Sequence, residues 1–384
     1  MTYLAIVVLL LWVALAAQTC VNLMVFPQLH AMDPDGALDS WPMVTIIIPA
    51  RNEERSIGAT LDAALGQEYP RFEVVAVDDG STDRTASEVA VRARDTRLTA
   101  VSCPSLPEGW LGKPHALFQG ALRAKGEWLL FMDADVRLAP TTLRRAVSRC
   151  ESEGWDHLTL LAHFERRGFW EEVAMPLLPV FFFIFSPSYL ALSRRSGLAF
   201  GGGAFNLVRR RAYETIGGHR RLASSVVDDI RLAMELKAAG FVTRTRLGKR
   251  LVRLRMYHGL KEIIDGFTKN AHAIWAGREP LMLFFSSLLL IVNLLPFAWV
   301  LGLLYFPQDA LLPPWLWVGA SLALLLGCRI VVQHRQGFPF WSVLFHPLAM
   351  LLGFAITLRS LYMAYGEGVV RWRGREYRRE NTSF

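Results

Sequence analysis

Apolar residues follow two patterns along the chain, and each pattern predicts its own kind of element. Nearly uncharged apolar runs occupy residues 4–26, 281–305, 311–332 and 338–358. A run of about 20 such residues is long enough to cross a bilayer as a helix. Residues from about 40 to 280 instead mix charged residues, Gly and Pro with short apolar runs. We therefore predict an N-terminal transmembrane anchor at 1–30, a globular domain at 40–280, a C-terminal transmembrane region at 281–363 and a basic tail at 364–384.

Within the globular region, short apolar runs alternate with segments of helical character. The β-branched run 44–48 ends at Pro49, and similar runs occur at 72–77, 98–103 and 127–132. Such short continuous runs are typical of parallel strands that are buried on both faces. Between them we predict helices, the first of which is capped by Asn52 and continues to about Gln67. This alternation predicts an α/β fold with a mostly parallel, doubly wound sheet.

The first apolar run has two interpretations. Small residues near Ala17 are compatible with a signal-peptide cleavage site, but the run lacks the basic segment that precedes the apolar part of a signal peptide. We favour an uncleaved anchor.

Basic residues indicate the orientation of the chain in the membrane. They are dense over 194–255 and 371–379, whereas 306–314 has none. The positive-inside rule therefore places the globular domain and the tail in the cytoplasm. Three full spans after a cytoplasmic domain would leave the tail outside. We therefore expect 338–358, which carries His346 and Pro347 in its middle, to form a broken or re-entrant hairpin.

A Phe-rich apolar segment at 173–192 lies inside the globular region and is interrupted by Pro176, Pro179 and Pro187. A membrane span here would divide the domain. We predict an interfacial segment that delivers a lipid acceptor, and a buried core helix is the alternative.

The charge of the chain favours anionic partners. A net charge of +8 and a pI near 9.5 are compatible with nucleic acid, but no nucleic-acid recognition motif accompanies the basic residues. Because these residues lie close to apolar segments, anionic lipid headgroups and an anionic small molecule explain the charge better. We therefore expect a membrane and no nucleic acid as partners.

Acidic residues stand at the ends of two predicted strands. Asp78, Asp79 and Asp83 follow the second strand, and Asp133-Ala134-Asp135 follows the fourth. Ligands of open α/β sheets bind outside the carboxyl ends of the strands. Two carboxylates on one turn provide the oxygen ligands that Mg²⁺ or Mn²⁺ prefers. This pattern predicts a nucleotide-sugar site with a divalent cation.

Three further positions belong to the predicted site. Lys113 lies in a Gly-containing loop at a helix start, where backbone amides and an ammonium group can meet a diphosphate. The glycines at 201–203 permit a close approach of the backbone to a ligand, or simply form a bend. Asp228 and Asp229 precede a helical segment, where they can also act as a helix cap.

The ordered motifs resemble those of the family 2 glycosyltransferases of the GT-A fold. The resemblance covers about residues 44–240 and rests on 48–54, 77–83, 133–135, 201–206 with 209–210 and 217–218, and 227–233. The N-terminal anchor, the loop 109–117, the apolar C-terminal region and the tail motif 372–377 are most similar to the membrane-bound branch. This branch includes ceramide, carotenoid and hopanoid-associated glycosyltransferases of membranes such as the bacterial inner membrane.

The resemblance implies roles for individual residues. Glu53 and Asp79 would bind the ribose and base of the donor, with Asp78 in support, and Lys113 would meet the diphosphate. Asp133 and Asp135 would bind Mn²⁺ or Mg²⁺, with Asp133 also on the donor side. Asp229 would be the catalytic base and Asp228 its acidic partner. Gly202, Gly203 and Trp275 would lie on the acceptor side. The resemblance further implies inversion at the anomeric carbon, and UDP-glucose is our expected donor.

One departure from the family pattern bears on the function. Many membrane-bound relatives carry Q-x-x-R-W or R-x-x-R-W after the acidic pair, whereas only Trp275 corresponds in the segment 269–275. This disfavours a processive polysaccharide synthase. A polyprenyl-phosphate sugar transferase and a non-catalytic membrane scaffold are two further hypotheses. We expect a membrane-anchored enzyme that transfers a hexose to a lipid.

Overall fold

The computed structural model describes residues 2–29, 38, 40–193, 195–275, 277–305, 312–363, 365, 369–372 and 375–378. The chain divides into two compact units. The unit that we call the sheet unit comprises Phe26–Glu165, Leu190–Met256 and Arg371–Phe384. The other, which we call the helical unit, comprises Met1–Val25, Arg166–Tyr189 and Tyr257–Val370.

The strands are β1 Val44–Ala50, β2 Phe72–Asp78, β3 Leu98–Ser102, β4 Trp128–Phe131, β5 Val136–Leu138, β6 His157–Leu161, β7 His163–Phe164, β8 Asn206–Arg209, β9 Thr243–Leu247, β10 Val252–Leu254, β11 Val369–Trp372 and β12 Arg375–Arg378. The α-helices are α1 Thr2–Val25, α2 Ile57–Leu65, α3 Thr85–Arg92, α4 Gly112–Arg123, α5 Thr142–Glu153, α6 Phe169–Ala174, α7 Leu177–Val180, α8 Arg210–Thr215, α9 Asp228–Ala238, α10 Gly259–Trp275, α11 Glu279–Tyr305, α12 Leu312–Gln336 and α13 His346–Tyr362.

The sheet unit is built on a seven-stranded sheet in the order β3-β2-β1-β4-β8-β6-β9. β1 pairs in parallel with β2 and β4, β2 with β3, and β6 with β9. Only β8 runs against its neighbours β4 and β6 among the described strands of this sheet. The predicted α/β class with a mostly parallel sheet is confirmed. A second sheet joins β5, β10 and β7.

The central strand β1 is buried on both faces, as its continuous apolar run predicted. Ile46 and Ile48 pack into one apolar cluster with Leu61 of α2, whereas Ile47 packs into a second cluster with Leu117 of α4. Successive side chains of a strand point to opposite faces, so helices must cover both faces of the sheet. Burying each isoleucine stabilises the fold by roughly 1.5–3 kcal/mol.

The loops after β1 and β2 are joined by side-chain bonds to backbone groups. The N–H of Thr82 donates to Asn52 Oδ1 at 2.9 Å, and the N–H of Glu54 donates to Asp83 Oδ2 at 3.1 Å. Asn52 adopts a left-handed φ of 52°. The prediction that Asn52 caps the first helix is therefore wrong. Its side chain is engaged across the loops, and α2 begins at Ile57 with Ser56 before it.

Four helices in the described part of the chain are long and apolar enough to cross a membrane, at Tyr3–Val25, Glu279–Gly302, Trp315–Gln336 and Phe340–Tyr362. They belong to the helical unit. The first three apolar runs of the sequence therefore form helices long and apolar enough to span a membrane, as predicted.

The last apolar segment differs from the expected hairpin. A 3₁₀ helix at Phe340–Phe345 continues directly into α13, with Pro347 in the first turn of that helix. Proline is tolerated there because the first N–H groups of a helix have no partner within it. The proline therefore marks a change of helix type instead of a reversal of the chain.

Within the helical unit, the proline-bearing segment is helical but irregular. It contains α6, α7 and a π-helix at Phe181–Phe185. Asn22 of α1 donates from Nδ2 to the carbonyls of Phe183 and Ser186, both at 2.9 Å, and accepts from the N–H of Tyr189 at 2.8 Å. One buried side chain thus satisfies the backbone groups that the irregular turns leave free.

The basic tail at 364–384 lies partly within the described residues. β11 and β12 form a two-stranded sheet there. Residues 364, 366–368, 373–374 and 379–384 lie outside the described part of the chain.

Candidate active site

A cavity of the sheet unit opens beyond the carboxyl end of β4. It is lined by Lys113, Leu117, Phe131, Met132, Asp133, Gly203, Asn206, His219, Asp228, Asp229 and Leu232. Five of the residues that the sequence predicted, Lys113, Asp133, Gly203, Asp228 and Asp229, therefore meet in one place. Segments that are far apart in the sequence supply them: the starts of α4 and α9, the end of β4 and the glycine run.

Lys113 lies at the centre of the charges in this cavity. Its Nζ lies 2.7 Å from Asp133 Oδ1 and 3.8 Å from Asp228 Oδ1, and its side chain is 37% exposed. Burial lowers the pKa of Lys113, but the carboxylates of Asp133, Asp228 and Asp229 outweigh it and hold that pKa well above its ordinary value. The raised pKa favours the charged ammonium form, which lines the cavity together with three carboxylates.

The turn after β4 presents both aspartates of the D-x-D sequence. The N–H of Asp133 donates to the Gly203 carbonyl at 2.8 Å, and Thr60 Oγ1 donates to the Ala134 carbonyl at 2.7 Å. These bonds fix the turn from both sides. Burial, and then the negative charge of Asp133, raises the pKa of Asp135 to about 7. A cation between the two carboxylates would remove this repulsion.

The two carboxylates fit a cation that is shared with a ligand. No group of three or more His, Cys, Asp or Glu residues suited to a metal occurs among the described residues. Mg²⁺ commonly binds through one or two carboxylates together with substrate phosphates. Asp133 and Asp135 provide such a pair. The negative charge of Asp133 raises the pKa of Asp135, and a divalent cation would neutralise the charge of both carboxylates.

Asp228 and Asp229 occupy the first turn of α9, where the helix dipole favours negative charge. Burial raises the pKa of both carboxyl groups, but for Asp228 the charge of Lys113 and the contact with His219 prevail and lower it. For Asp229 burial prevails, with further contributions from Asp228 and Asp133, and the pKa is raised. The two neighbouring acids thus differ: one holds its charge firmly and the other is the better proton acceptor.

Two of the three consecutive glycines are required by close contacts. A Cβ at Gly201 would collide with the carbonyl of Asp229, and a Cβ at Gly203 would collide with the carboxylate of Asp133. A Cβ at Gly202 would meet only Thr159 Cγ2, at 3.7 Å. The backbone of the glycine run therefore packs directly against α9 at Gly201 and against the turn after β4 at Gly203.

Glu53 lies in the loop after β1, Asp78 is the last residue of β2 and Asp79 follows it. These three residues lie outside the cavity lining, as do Asp135 and Gly202. Because β1, β2 and β4 are parallel neighbours, their carboxyl ends share one edge of the sheet. Glu53 accepts from Ser56 Oγ at 2.8 Å, and Asp78 Oδ1 accepts from the N–H of Ser81 at 3.2 Å. Asp79 is buried, and its carbonyl accepts from Arg51 Nη1 at 2.6 Å.

Trp275 belongs to the helical unit. It is the last residue of α10, and its ring centroid lies 6.0 Å from that of Phe285.

Sequence reasoning assigned no role to two polar residues of the cavity, His219 and Asn206. His219 directly follows Gly217-Gly218, and Asn206 ends the motif 201–206, three residues after Gly203. Asn206 Oδ1 accepts from Thr159 Oγ1 at 2.8 Å and lies 3.3 Å from His157 Nε2. A polar residue that follows glycines within a quoted motif was the available signal.

Comparison with known proteins agrees with this geometry. Residues 45–217 match the family described as glycosyl transferase family 2. The 4,4'-diaponeurosporenoate glycosyltransferases of Staphylococcus aureus strains MRSA252 and USA300 are each 27% identical over 368 residues, which cover 92% of this chain and 93% of theirs.

Among solved structures, a mannosyltransferase from Pyrobaculum calidifontis in complex with GDP-Man and Mn²⁺ superimposes with a TM-score of 0.51 at 21% identity, over 92% of this chain and 99% of that one. The resemblance to this structure concerns the fold. Together with the matched family, it shows that the chain carries a family 2 glycosyltransferase domain of the GT-A fold and is a glycosyltransferase.

Proposed function

We propose that this protein transfers a hexose from a nucleotide sugar, with UDP-glucose as the expected donor, to a hydroxyl or carboxyl group of a membrane lipid. The observation that carries the proposal is the meeting of Lys113, Asp133 and the acidic pair of α9 in one cavity. A diphosphate needs cations around it, and an acceptor hydroxyl needs a base. The cavity supplies both kinds of group within one site.

On the donor side, Lys113 binds the diphosphate while Asp133 and Asp135 hold a divalent cation. That cation, when bound, neutralises charge on the departing nucleoside diphosphate. Glu53 and Asp79, with Asp78 in support, bind the ribose and base at the neighbouring strand ends. A cation held by Asp133 would compete with the Lys113 ammonium group, which lies 2.7 Å from Asp133 Oδ1, and would leave Lys113 to the diphosphate.

On the acceptor side, Asp229 acts as the base. Its carboxylate takes the proton of the acceptor hydroxyl as the acceptor oxygen bonds to the anomeric carbon and the bond from that carbon to the diphosphate oxygen breaks. A carboxylic acid acceptor is already ionised at neutral pH and needs no base. The raised pKa of Asp229 suits proton transfer near neutral pH better than the lowered pKa of Asp228. Attack opposite the leaving group inverts the anomeric centre.

Two observations support a lipid acceptor. The helical unit carries four helices that are long and apolar enough to cross a membrane. The relatives from S. aureus are named for 4,4'-diaponeurosporenoate, a carotenoid acid, and match this chain over 92% of its length. We accordingly place the protein in a bacterial inner membrane with its sheet unit in the cytoplasm. In this proposal the segment 173–192 lies at the interface, and Gly202, Gly203 and Trp275 serve the acceptor side.

The test uses membranes that contain the wild type or Asp229→Asn, labelled UDP-sugars or GDP-mannose supplied one at a time, Mn²⁺ or Mg²⁺, and candidate lipids. Products are extracted into organic solvent and identified by mass spectrometry. Label in a small lipid product with the wild type supports the proposal. A hydroxyl-linked product should be lost with Asp229→Asn, whereas a sugar ester would survive if the acceptor is an acid.

Three outcomes would contradict the proposal. Label in a large water-soluble polymer indicates a polysaccharide synthase, and label on a polyprenyl phosphate indicates the corresponding phosphate acceptor. The absence of turnover with every donor favours a non-catalytic scaffold.

A further inference from the structure

His219 and Tyr213 form a buried polar contact beside the acidic pair. His219 is 1% exposed and Asp228 is 2% exposed. Tyr213 Oη lies 3.0 Å from His219 Nδ1 and also accepts the backbone N–H of His219 at 3.0 Å. On the other side of the ring, His219 Nε2 lies 3.7 Å from Asp228 Oδ2. The imidazole thus stands between a hydroxyl and a carboxylate.

The packing around this imidazole is close. The ring of Phe131 meets it edge to face with centroids 4.6 Å apart. Gly218 has a φ of 56°, and a Cβ there would lie 2.5 Å from Tyr213 Cζ. The contact between Tyr213 and His219 therefore requires a glycine before the histidine. These contacts hold the ring with Nε2 on the side of Asp228.

The hydrogen bonds, together with the position of Asp228, favour one tautomer of His219. The Tyr213 hydroxyl oxygen already accepts from the His219 backbone, so its own hydrogen is available for Nδ1. The proton of the neutral ring is then on Nε2, which faces Asp228. The opposite tautomer would direct a nitrogen lone pair at a carboxylate. A separation of 3.7 Å is too long for a hydrogen bond, and such contacts shorten when an active site is filled.

We propose that His219, oriented by Tyr213, is a positioning residue for glycosyl transfer, and that it acts through Asp228 on Lys113. His219 holds Oδ2 of Asp228, and Oδ1 of the same carboxylate faces Lys113 Nζ at 3.8 Å. When Lys113 leaves Asp133 for the diphosphate, Asp228 is the anion that continues to direct it. These contacts, from Tyr213 through His219 and Asp228 to Lys113, form what we call the relay. The relay aligns the ammonium group with the leaving group. This inference rests on the proposed function.

The first test is a double-mutant cycle between His219 and Asp228. We expect His219→Leu to lower kcat by about 10- to 100-fold with less than about a threefold change in the KM for the donor, since a hydrogen bond to a charged group is lost. In the Asp228→Asn background the same change should alter kcat by less than about threefold, because there is no carboxylate left to position. His219→Gln, whose amide can still donate to Asp228, should recover part of the loss. An equal loss of kcat in both backgrounds would overturn the relay.

Tyr213→Phe and Tyr69→Phe form a matched pair in case His219→Leu fails to fold. Tyr69 is a buried tyrosine whose hydroxyl donates to the Pro42 carbonyl at 2.6 Å, outside the cavity lining. We expect Tyr213→Phe to lower kcat severalfold while Tyr69→Phe affects only thermal stability. Equal kcat values for the two variants would contradict the proposal.

A spectroscopic test does not depend on knowing the donor. In protein labelled with ¹⁵N-histidine, the signal that is lost in His219→Gln identifies His219, and its nitrogen shifts give the tautomer. A neutral ring protonated at Nε2 supports the relay, and protonation at Nδ1 overturns it. If the wild type transfers no sugar from any donor, the proposed function fails while this measurement still decides the arrangement of His219.

Discussion

Lys113 Nζ lies 2.7 Å from Asp133 Oδ1, so the first aspartate of the D-x-D turn is already paired with a cation of the chain itself. In the proposed function, a divalent cation would therefore have to compete with Lys113 for Asp133. This competition would link cation binding to donor binding, because the displaced ammonium group would then be available to the diphosphate.

The first prediction follows from this competition. Lys113→Met should raise the affinity for Mn²⁺ in the absence of donor severalfold, since a repelling charge is removed from beside Asp133. The same variant should lower turnover by about 100-fold, because the leaving group loses its positive partner. Mn²⁺ titration followed by electron paramagnetic resonance, together with steady-state kinetics, measures both. Lys125→Met, at an exposed lysine after α4, is the control. Weaker Mn²⁺ binding by Lys113→Met would argue against the competition.

Gly203→Ala should abolish most activity, because its Cβ would collide with the Asp133 carboxylate. Gly197→Ala provides the comparison, since a Cβ there meets nothing within 4 Å. We expect Gly203→Ala to lose at least about tenfold in Mn²⁺ affinity and Gly197→Ala to match the wild type. Full Mn²⁺ affinity in Gly203→Ala would show that Asp133 does not bind the cation.

The two acids of α9 should differ when each is replaced by asparagine. With a hydroxyl acceptor, Asp229→Asn should lower kcat by about 100-fold or more while leaving nucleotide affinity nearly unchanged, as expected for loss of a base. Asp228→Asn should also weaken donor binding, because Lys113 loses a partner. Nucleotide binding by calorimetry and kcat from product formation separate the two effects. The reverse pattern would assign the base to Asp228.

His157 predicts a dependence of stability on pH. Burial lowers its pKa from 6.5 to about 4, although the bond to Asn206 acts in the opposite direction. The unfolded chain therefore binds this proton more readily, and stability falls as the pH falls from 6.5 to 4. The full loss amounts to ~3 kcal/mol. His157→Gln should flatten the decline in Tm between about pH 7 and about pH 4.5, and an unchanged slope would contradict the assignment.

Much of the site could be predicted from the sequence because its signals are local. The D-x-D turn follows an apolar strand, and Lys113 stands at a helix start, so each position could be placed at the carboxyl edge of a parallel sheet. The role of His219 could not be predicted, because its contact with Asp228 exists only after the segment following α8 folds against α9. Asn52 is the opposite case. Its position before a helical segment predicts a helix cap, but its side chain instead accepts a hydrogen bond from the loop after β2. Tertiary contacts decided both cases.

The side of the membrane on which the tail lies can be measured with a single cysteine that replaces Thr382 and a membrane-impermeant thiol reagent. We expect protection in intact cells, in agreement with a cytoplasmic tail. One of the last three apolar helices then does not cross. We expect it to be the last one, at Phe340–Tyr362, because its helix type changes at His346, between a 3₁₀ helix and α13. Labelling from outside would show that all three cross.

The bonds that Asn22 makes to the irregular segment have a consequence for the biogenesis of the protein. Gln18 adds a bond to the Ile184 carbonyl at 2.6 Å, and Trp12 Nε1 donates to the Val292 carbonyl at 3.3 Å. The first helix thus supplies polar partners to segments that are translated much later in synthesis. A peptidase that removed it would leave those backbone carbonyls without partners inside apolar surroundings. An unrelated apolar helix of the same length would restore attachment to the bilayer but not the fold of the helical unit.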